Sequence, residues 1–244
     1  MTIQPRSRSN SGSSDDSNAA FPSFEALAPT REFTTTPLTA ENRVVVKGIP
    51  DVRLKVDAGP GCGGIAWLSG EVMSRYLAYR HRLEPHHLVG KTIVELGSGT
   101  GLVGIATAML EPTAEVWATD QDCLVDLMQA NADLNLLPVG SNLHIGELSW
   151  GEPITHVPAA ADVVLAADCV YFEPAFPLLV QTLCDLAPVG KDTEILFAWK
   201  KRRKRFWAML KKHFDWEVVM DDEPGAREVY TREGINLLRL HRRR

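Results

Sequence analysis

The sequence predicts an α/β fold in which a doubly wound, mostly parallel sheet of seven strands follows an N-terminal β-hairpin. Short apolar segments alternate with segments of helical periodicity, which is typical of parallel strands joined by helices. A glycine-rich turn stands between the first of these strands and its helix. The last two strand-like segments have no helical pattern between them. We expect them to form an antiparallel pair, because parallel neighbours need a crossover.

Seven apolar segments are the candidate strands of the sheet. They are residues 92–96, 115–119, 143–145, 162–167, 194–198, 216–220 and 235–240. Helices are predicted at residues 102–109, 123–136 and 174–186, before the sheet around residues 72–80, and after its fifth strand through Phe206 and Leu210. Ser69 is the candidate cap of the helix before the sheet, and Asp122 is the candidate cap of the helix at 123–136.

The N-terminal part of the chain divides into a tail and a hairpin. Residues 1–24 are rich in Ser, Asn and Asp and have little to bury, so we expect a disordered tail. Residues 43–46 and 52–56 are β-like and flank a turn that contains Gly48 and Pro50, which predicts a β-hairpin. We expect residues 25–244, including this hairpin, to form one domain.

Composition and charge exclude several classes of protein. Of the 244 residues, 45% are hydrophobic and 23% are charged, which is ordinary for a globular protein. The 26 Lys and Arg residues against 31 Asp and Glu give a net charge of −5, which argues against a surface devoted to nucleic acid. No apolar run approaches the roughly 20 residues that span a bilayer, and the N-terminus lacks the apolar core of a secretory signal. We therefore expect a cytoplasmic protein with no membrane partner.

The four cysteines, Cys62, Cys123, Cys169 and Cys184, indicate neither disulfides nor a metal site. None belongs to a Cys-x-x-Cys pair, none has zinc-ligand spacing to a histidine, and the chain has no His-Glu-x-x-His sequence. Each lies beside apolar residues and is interpreted as a small core residue, which suits a reducing compartment. No metal cofactor is expected.

The most informative motif is the turn at residues 94–104, Val-Glu-Leu-Gly-Ser-Gly-Thr-Gly-Leu-Val-Gly. Between a strand and a helix, such a turn lets backbone N–H groups approach a ligand without a Cβ in the way. From Gly99 to Gly104 the letters fit the dinucleotide fingerprint, and from Glu95 to Gly101 they fit the nucleoside loop of S-adenosylmethionine-dependent methyltransferases. Glu95 favours the methyltransferase pattern, because a carboxylate would repel a pyrophosphate. Its burial requires a partner, either a methionyl ammonium or a nearby backbone donor.

The next strand along the chain ends at Asp120. A carboxylate in this position can accept both hydroxyls of a ribose. Dehydrogenases also bind a ribose with a carboxylate at this position. Asp120 therefore indicates an adenosine ligand without distinguishing between cofactors.

Taken together, these segments resemble the seven-β-strand methyltransferases, and within them the family-16 protein-lysine methyltransferases. The resemblance spans residues 43–240 and depends on several motifs in chain order. Besides the glycine loop and Asp120, they are Gly-Ile-Ala-Trp at 64–67, Leu-Ser-Trp-Gly at 148–151 and Ala-Asp-Cys-Val-Tyr at 167–171. The resemblance implies a Rossmann-like fold and S-adenosyl-L-methionine as cofactor.

The resemblance also implies two groups of site residues. For the cofactor they are Trp67, Glu95, Gly97, Ser98, Gly99, Gly101, Asp120, Gln121, Leu148, Trp150 and Ala167. The catalytic residues that would meet the acceptor lysine are Asp168 and Tyr171, from the D-x-x-Y element at the end of the fourth strand.

The implied activity is N-methylation of a lysine in a protein substrate. A basic run at residues 200–205, Lys-Lys-Arg-Arg-Lys-Arg, further resembles a fungal branch that modifies translation elongation factor 1A. That run would either dock an acidic surface or direct nuclear import. The fourth-strand element differs from the Pro-Pro-Tyr type that acts on planar amines, so a protein partner is favoured over nucleic acid. We expect a monomer.

Two other functions remain open at this point. One is methylation of a small molecule or an RNA on the same fold, since a fold does not determine a substrate. The other is a cofactor-binding interaction protein without catalysis, which the intact acids Glu95, Asp120 and Asp168 argue against. A dinucleotide oxidoreductase is a weaker option, because nothing in the chain resembles a hydride-transfer site.

Overall fold

The computed structural model describes residues 38–39, 42–45, 48–57, 59, 61–200 and 204–244. The predicted tail at residues 1–24 lies outside this part of the chain, and so do Val46 and residues 201–203 of the basic run. The tail and the domain boundary at residue 25 therefore stay predictions.

The described residues form nine strands. They are β1 (Arg43–Val44), β2 (Val52–Arg53), β3 (Thr92–Leu96), β4 (Glu115–Asp120), β5 (Leu143–Glu147), β6 (Val163–Ala167), β7 (Glu194–Lys200), β8 (Phe214–Val218) and β9 (Ile235–Arg242). β1 and β2 pair antiparallel, with Val44 opposite Val52. The other seven form one sheet in the order β5-β4-β3-β6-β7-β9-β8.

Six α-helices connect or flank these strands in the described residues. They are α1 (Leu68–Leu83), α2 (Leu102–Leu110), α3 (Asp122–Leu134), α4 (Phe176–Leu186), α5 (Lys204–Leu210) and α6 (Ala226–Arg232). Single 3₁₀ turns cover Cys62–Gly64 and Glu173–Ala175. Within the described part of the chain, none of the helices combines the length and apolar character that crossing a membrane requires.

The sheet confirms the predicted fold class. Strands β3 to β7 pair in parallel, while β9 is antiparallel to both β7 and β8. Helices α1, α2 and α3 pack on one face, and α4 and α5 pack on the other. Burial on both faces explains why strands such as Val163–Ala167 are continuous apolar runs rather than alternating ones.

The predicted starts of three helices are wrong. Ser69 is buried inside α1, which begins at Leu68, and Trp67 is the residue before its first turn. Asp122 is the first residue of α3, and Gln121 precedes it. Pro174 lies in a 3₁₀ turn, and α4 proper begins at Phe176. None of the three helices has a side-chain hydrogen bond from its N-cap residue.

Two further predictions are wrong. The segment between β8 and β9 contains α6, although the antiparallel pairing holds. Its seven residues are too few for a periodic signal, and the helix depends on Gly225 at φ +84° and on the buried Tyr230. Cys123 is exposed on the first turn of α3, whereas Cys169 is buried and Cys62 and Cys184 are half-buried.

Candidate cofactor and acceptor site

The predicted site residues meet at one edge of the sheet. Strands β4, β3 and β6 are neighbours and run parallel, so their carboxyl ends lie side by side. Ligands of open α/β sheets bind at this edge. The glycine loop follows β3, Asp120 is the last residue of β4, and Asp168 follows β6.

The glycine loop turns sharply between β3 and α2. Gly97, Gly99 and Gly101 have φ values of +64°, +57° and +80°, which side chains rarely adopt. The N–H of Ser98 donates to the Thr119 carbonyl at 3.0 Å, which holds the loop against β4. The result is a short backbone cradle with glycine at every second position, at the N-terminus of a helix, an arrangement suited to a polar ligand.

The buried side chain of Glu95 holds the end of this loop through a hydrogen bond. It is 2% exposed, and its Oε2 accepts the Gly104 N–H at 2.8 Å. Burial raises the pKa of Glu95 to about 7, although hydrogen bonds with Ser98 and Gly104 favour the ionised form. The observed partner is thus a backbone donor, one of the two kinds expected. A Cβ at Gly104 would lie 2.9 Å from this oxygen and 2.8 Å from Ala118 Cβ, so the helix can approach only through glycine.

Asp120 closes the other side of the loop. Its Oδ2 accepts the Gly99 N–H and its Oδ1 accepts the Gln121 N–H, each at 2.8 Å. The carboxylate is half-buried at the end of β4. Burial raises its pKa to about 6, against the lowering effect of these two donors. The geometry leaves further lone pairs of the carboxylate for the hydroxyls of a ribose.

The Leu-Ser-Trp-Gly segment borders the same cradle. The N–H of Leu148 donates to the Asp120 carbonyl at 2.9 Å. A Cβ on Gly97 would lie 3.1 Å from Cζ2 of Trp150, so the indole packs directly against the loop. Leu148 therefore lies next to Asp120, and Trp150 lies next to the glycine loop.

Asp168 lies one strand away, directly after Ala167. Its φ is +60°, a conformation that a residue with a Cβ adopts at a cost, and such strain clusters at functional sites. The backbone N–H of Asp168 donates to the Ala198 carbonyl at 2.8 Å. Its Oδ1 accepts the Lys200 N–H at 3.4 Å, a long hydrogen bond. The end of β7 therefore holds the backbone and the carboxylate of Asp168.

The segment before α1 lies within electrostatic range of Asp120 and Asp168. The Trp67 indole N–H donates to the Cys62 carbonyl at 2.8 Å. Burial raises the pKa of the Cys62 thiol, and the nearby Tyr171 side chain lowers it. Burial raises the pKa of the Tyr171 hydroxyl, so the phenol is neutral. The charges of Asp120 and Asp168 raise the pKa of the Cys62 thiol further.

Three residues at the site were missing from the predicted set: Cys62, Gly63 and Gly104. Gly104 was visible as the last glycine of the dinucleotide pattern, but its role in helix packing needs the contact with Ala118. The Gly-rich segment before Trp67 was interpreted as a flexible loop. Among the residues that the structure describes, no group of three or more His, Cys, Asp or Glu side chains is arranged to hold a metal ion.

The residues present fit an adenosine-containing sulfonium. The cradle offers backbone donors, Asp120 offers acceptors for a ribose, and Trp150 offers an aromatic face. A family model described as lysine methyltransferase matches residues 47–213, more than half of the sequence.

The chain belongs to the lysine methyltransferase family.

Curated relatives agree with this family. The chain is 37% identical over 224 residues to protein-lysine N-methyltransferase EFM6 of Saccharomyces cerevisiae, covering 81% of this chain and 88% of that protein. It is 34% identical to protein N-lysine methyltransferase METTL21A of Danio rerio, covering 70% and 77%. The lysine methyltransferase described here is therefore an S-adenosyl-L-methionine-dependent enzyme that modifies protein lysines.

Solved structures support the fold of this methyltransferase. The mitomycin 7-O-methyltransferase MmcR aligns with a TM-score of 0.52 at 15% identity, over 72% of this chain and 54% of that chain. The magnesium protoporphyrin IX methyltransferase of Synechocystis PCC 6803, with bound S-adenosylmethionine, aligns with a TM-score of 0.51 at 16% identity, over 72% and 79%. At these identities the likeness concerns the fold alone.

Proposed function

We propose that this methyltransferase modifies a lysine of translation elongation factor 1A. The observation that carries the proposal is the similarity to EEF1A lysine methyltransferase 3 of Mus musculus. The two are 37% identical over 146 residues, covering 58% of this chain and 61% of the mouse protein. We further propose the cytoplasm as the location of the reaction, because a translation factor is the proposed substrate. Nuclear entry through the basic run at residues 200–205 remains part of this proposal.

The cofactor residues are assigned from their positions. The backbone of Gly97, Ser98, Gly99 and Gly101 cradles the methionyl part, with Glu95 fixing the loop from below. Asp120 accepts the ribose hydroxyls. The adenine is assigned to three residues next to Asp120 or the glycine loop: Gln121, Leu148 and Trp150. Bound there, S-adenosylmethionine supplies an electrophilic methyl group on a sulfonium.

Asp168 and Tyr171 are assigned to the acceptor. At its reference pKa of about 10.4, deprotonating a lysine ammonium at pH 7 costs about 4–5 kcal/mol. The Asp168 carboxylate attracts the ammonium and orients it, while the ring of Tyr171 faces the cation and its hydroxyl bonds the amine. The ammonium proton leaves to water before the amine attacks. Ala167 and Trp67 are assigned to the cofactor, since Ala167 directly precedes Asp168 and Trp67 bonds the turn whose Gly63 lies against the glycine loop.

The Tyr171 phenol suits this role in its neutral form. Since burial raises its pKa, the hydroxyl keeps its proton and can both donate and accept a hydrogen bond. Asp168 is half-buried rather than enclosed, so a lysine side chain from another protein can reach it. Positioning and electrostatics thus supply what the enzyme adds to the chemistry of the cofactor.

The test uses labelled S-adenosylmethionine and a lysate depleted of endogenous methylation. We expect one dominant labelled protein, and mass spectrometry identifies it and the modified residue. Elongation factor 1A with a methylated lysine supports the proposal. A different labelled protein, or label on RNA, contradicts it. The Asp168→Ala variant is the matched control, because it should bind the cofactor and label nothing.

A further inference from the structure

Residues 53–57, which we call the N-terminal segment, pair with two asparagines at the end of α3. Oδ1 of Asn135 accepts the Arg53 N–H at 2.8 Å, and its Nδ2 donates to the Arg53 carbonyl at 2.7 Å. Oδ1 of Asn131 accepts the Lys55 N–H at 2.6 Å, and its Nδ2 donates to the Lys55 carbonyl at 3.0 Å. Each amide thus exchanges both kinds of hydrogen bond with the backbone, as a residue of a neighbouring antiparallel strand would.

The other hydrogen bond of each Nδ2 distinguishes the two asparagines. Nδ2 of Asn135 also donates to the Asn131 carbonyl at 2.7 Å, so this bond stays within the end of α3. Nδ2 of Asn131 also donates to the Thr100 carbonyl at 2.8 Å, in the middle of the glycine loop. Asn131 is completely buried, and both donors and the acceptor oxygen of its amide have partners. Asn131 therefore ties the N-terminal segment directly to the loop.

The N-terminal segment meets the glycine loop a second time through the Cys62–Gly64 turn. The Asp57 N–H donates to the Gly64 carbonyl at 2.8 Å, which joins the end of the segment to the turn. A Cβ on Gly99 would lie 2.5 Å from the Gly63 carbonyl oxygen, so the turn packs against the backbone of the loop. The segment and the loop are thus linked at two places, through the buried asparagine amide and through this turn.

The loop needs such links because of its composition. Gly99 and Gly101 flank Thr100 at φ +57° and +80°, and glycines have more backbone conformations to lose than other residues. Holding the Thr100 carbonyl fixes the orientation of the peptide group between Thr100 and Gly101. A loop that is ordered before its ligand arrives binds that ligand more tightly. The buried amide is therefore placed to contribute to cofactor affinity as well as to folding.

We propose that Asn131 is a positioning residue for cofactor binding, through which the N-terminal segment holds the glycine loop in its binding conformation. The inference rests on the assignment of this loop to the cofactor and does not depend on the identity of the protein substrate. Coupling between two sites is reciprocal, so binding of the cofactor in turn stabilises the N-terminal segment. Asn131 acts on the cofactor only through the backbone of the loop.

The first test compares Asn131→Ala with Asn135→Ala, which is the matched control. Both substitutions remove an amide that pairs with the N-terminal segment, but only the first removes the hydrogen bond to Thr100. Calorimetry with S-adenosylmethionine measures the Kd of the full-length variants. We expect Asn131→Ala to raise the Kd about tenfold and Asn135→Ala to change it less than about twofold, although both variants should melt earlier.

Hydrogen exchange supplies a readout that a merely structural role would not move. The Leu54 N–H is a suitable reporter, because it donates to the Asn42 carbonyl at 2.9 Å and neither substitution removes that bond. In the wild type, saturating S-adenosylmethionine should slow exchange of this amide at least about fivefold. The slowing should persist in Asn135→Ala and fall below about twofold in Asn131→Ala. The wild-type measurement tests the proposal even if Asn131→Ala does not fold.

Three results would overturn the proposal: a wild-type Kd in Asn131→Ala, an equal rise of Kd in both variants, or exchange of the wild-type Leu54 amide that does not respond to the cofactor. Each would show that the bond to Thr100 only stabilises the fold. If the wild type bound no S-adenosylmethionine, the assignment of the loop to the cofactor would fail as well. A labelled protein other than elongation factor 1A in the lysate experiment contradicts the proposed substrate and leaves this inference intact.

Discussion

The backbone N–H of Gly99 donates to Oδ2 of Asp120 at 2.8 Å, which joins the glycine loop to the acid of the neighbouring strand. The glycine loop and Asp120 would contact different parts of a cofactor, and this hydrogen bond holds them together. The same carboxylate also receives the Gln121 N–H, so its orientation is fixed before any ligand arrives. Preorganisation of this kind reduces the ordering that binding has to supply.

Substitution of the two acids should separate binding from chemistry. Asp120→Ala removes the acceptor for Gly99 and for the ribose, so we expect cofactor affinity to fall at least about tenfold. Asp168→Ala should lower kcat at least about a hundredfold with cofactor Kd within about threefold, because Asp168 meets the acceptor. Calorimetry and initial rates measure both. If Asp168→Ala lost only cofactor affinity, its assignment to the acceptor would be wrong.

Gly99→Val should abolish cofactor binding. The φ of +57° strains any side chain, and a Cβ would lie 2.5 Å from the Gly63 carbonyl oxygen, so the turn above the loop must move. Gly90→Val is the matched control, since Gly90 has φ +64° with no atom within 4 Å of a Cβ. We expect the control to melt earlier and still bind S-adenosylmethionine. Equal loss of cofactor binding in both variants would show that backbone strain, and not the contact with Gly63, causes the loss.

Glu95 and Asp120 should make cofactor binding depend on pH. Burial raises their pKa values to about 7 and about 6, and a bound cation and ribose hydroxyls favour the ionised forms. Protons therefore compete with the cofactor, and affinity should fall as pH drops from 7.5 to 5.5. Calorimetry over this range measures the effect, and a pH-independent Kd would contradict it.

The same shift predicts a change in stability without cofactor. Glu95 has a higher pKa folded than unfolded, so the folded state holds its proton between pH 4.5 and 7. Its contribution to stability is therefore present below pH 4.5 and is lost as pH rises through 7, by at most about 3 kcal/mol. Glu95→Gln should remove this dependence, so the difference between the two unfolding free energies should grow with pH. If the difference between the two unfolding free energies did not change with pH, the raised pKa of Glu95 would be contradicted.

Asp168→Gly should stabilise the enzyme while inactivating it. Replacing a residue at φ +60° by glycine relieves about 1 kcal/mol of backbone strain. Leu136 is the matched control, because it has φ +59° and is 87% exposed, away from the site. Leu136→Gly should raise the melting temperature by a similar amount with unchanged kcat. A lower melting temperature for Asp168→Gly would show that the site does not store strain at this residue.

Neutralising Lys201, Arg202, Arg203 and Lys204 should raise KM for a protein substrate several-fold and flatten its salt dependence, with cofactor Kd unchanged. The run begins at Lys200, whose backbone N–H donates to Oδ1 of Asp168 at 3.4 Å, so its first residue lies beside the proposed acceptor position. A short peptide with the same lysine should lose less, since it lacks a distant acidic surface. Lys211→Gln with Lys212→Gln, both exposed beyond α5, is the control. Unchanged KM at low salt would favour an import signal.

The sequence by itself determined the order of the strands, every α-helix of the described residues except α6, and the parallel character of the sheet. Apolar runs such as residues 162–167 have to be buried on both faces, and only a layered α/β arrangement does this. The glycine spacing and the acids at strand ends were local signals, since each reports the conformation or the ligand of its own turn. They identified Gly99, Asp120 and Asp168 without coordinates.

Only the tertiary structure decided which other residues contact these motifs. Ser69 has the chemistry of a cap, yet the entry into α1 is set by the Trp67 indole on the Cys62 carbonyl, five residues away in sequence. The backbone N–H of Asp168 donates to the Ala198 carbonyl of the neighbouring strand, and the Gly63 carbonyl lies against Gly99 of the glycine loop. Such contacts depend on the packing of separate elements, and no periodicity or spacing along the chain encodes which side chains will face each other there.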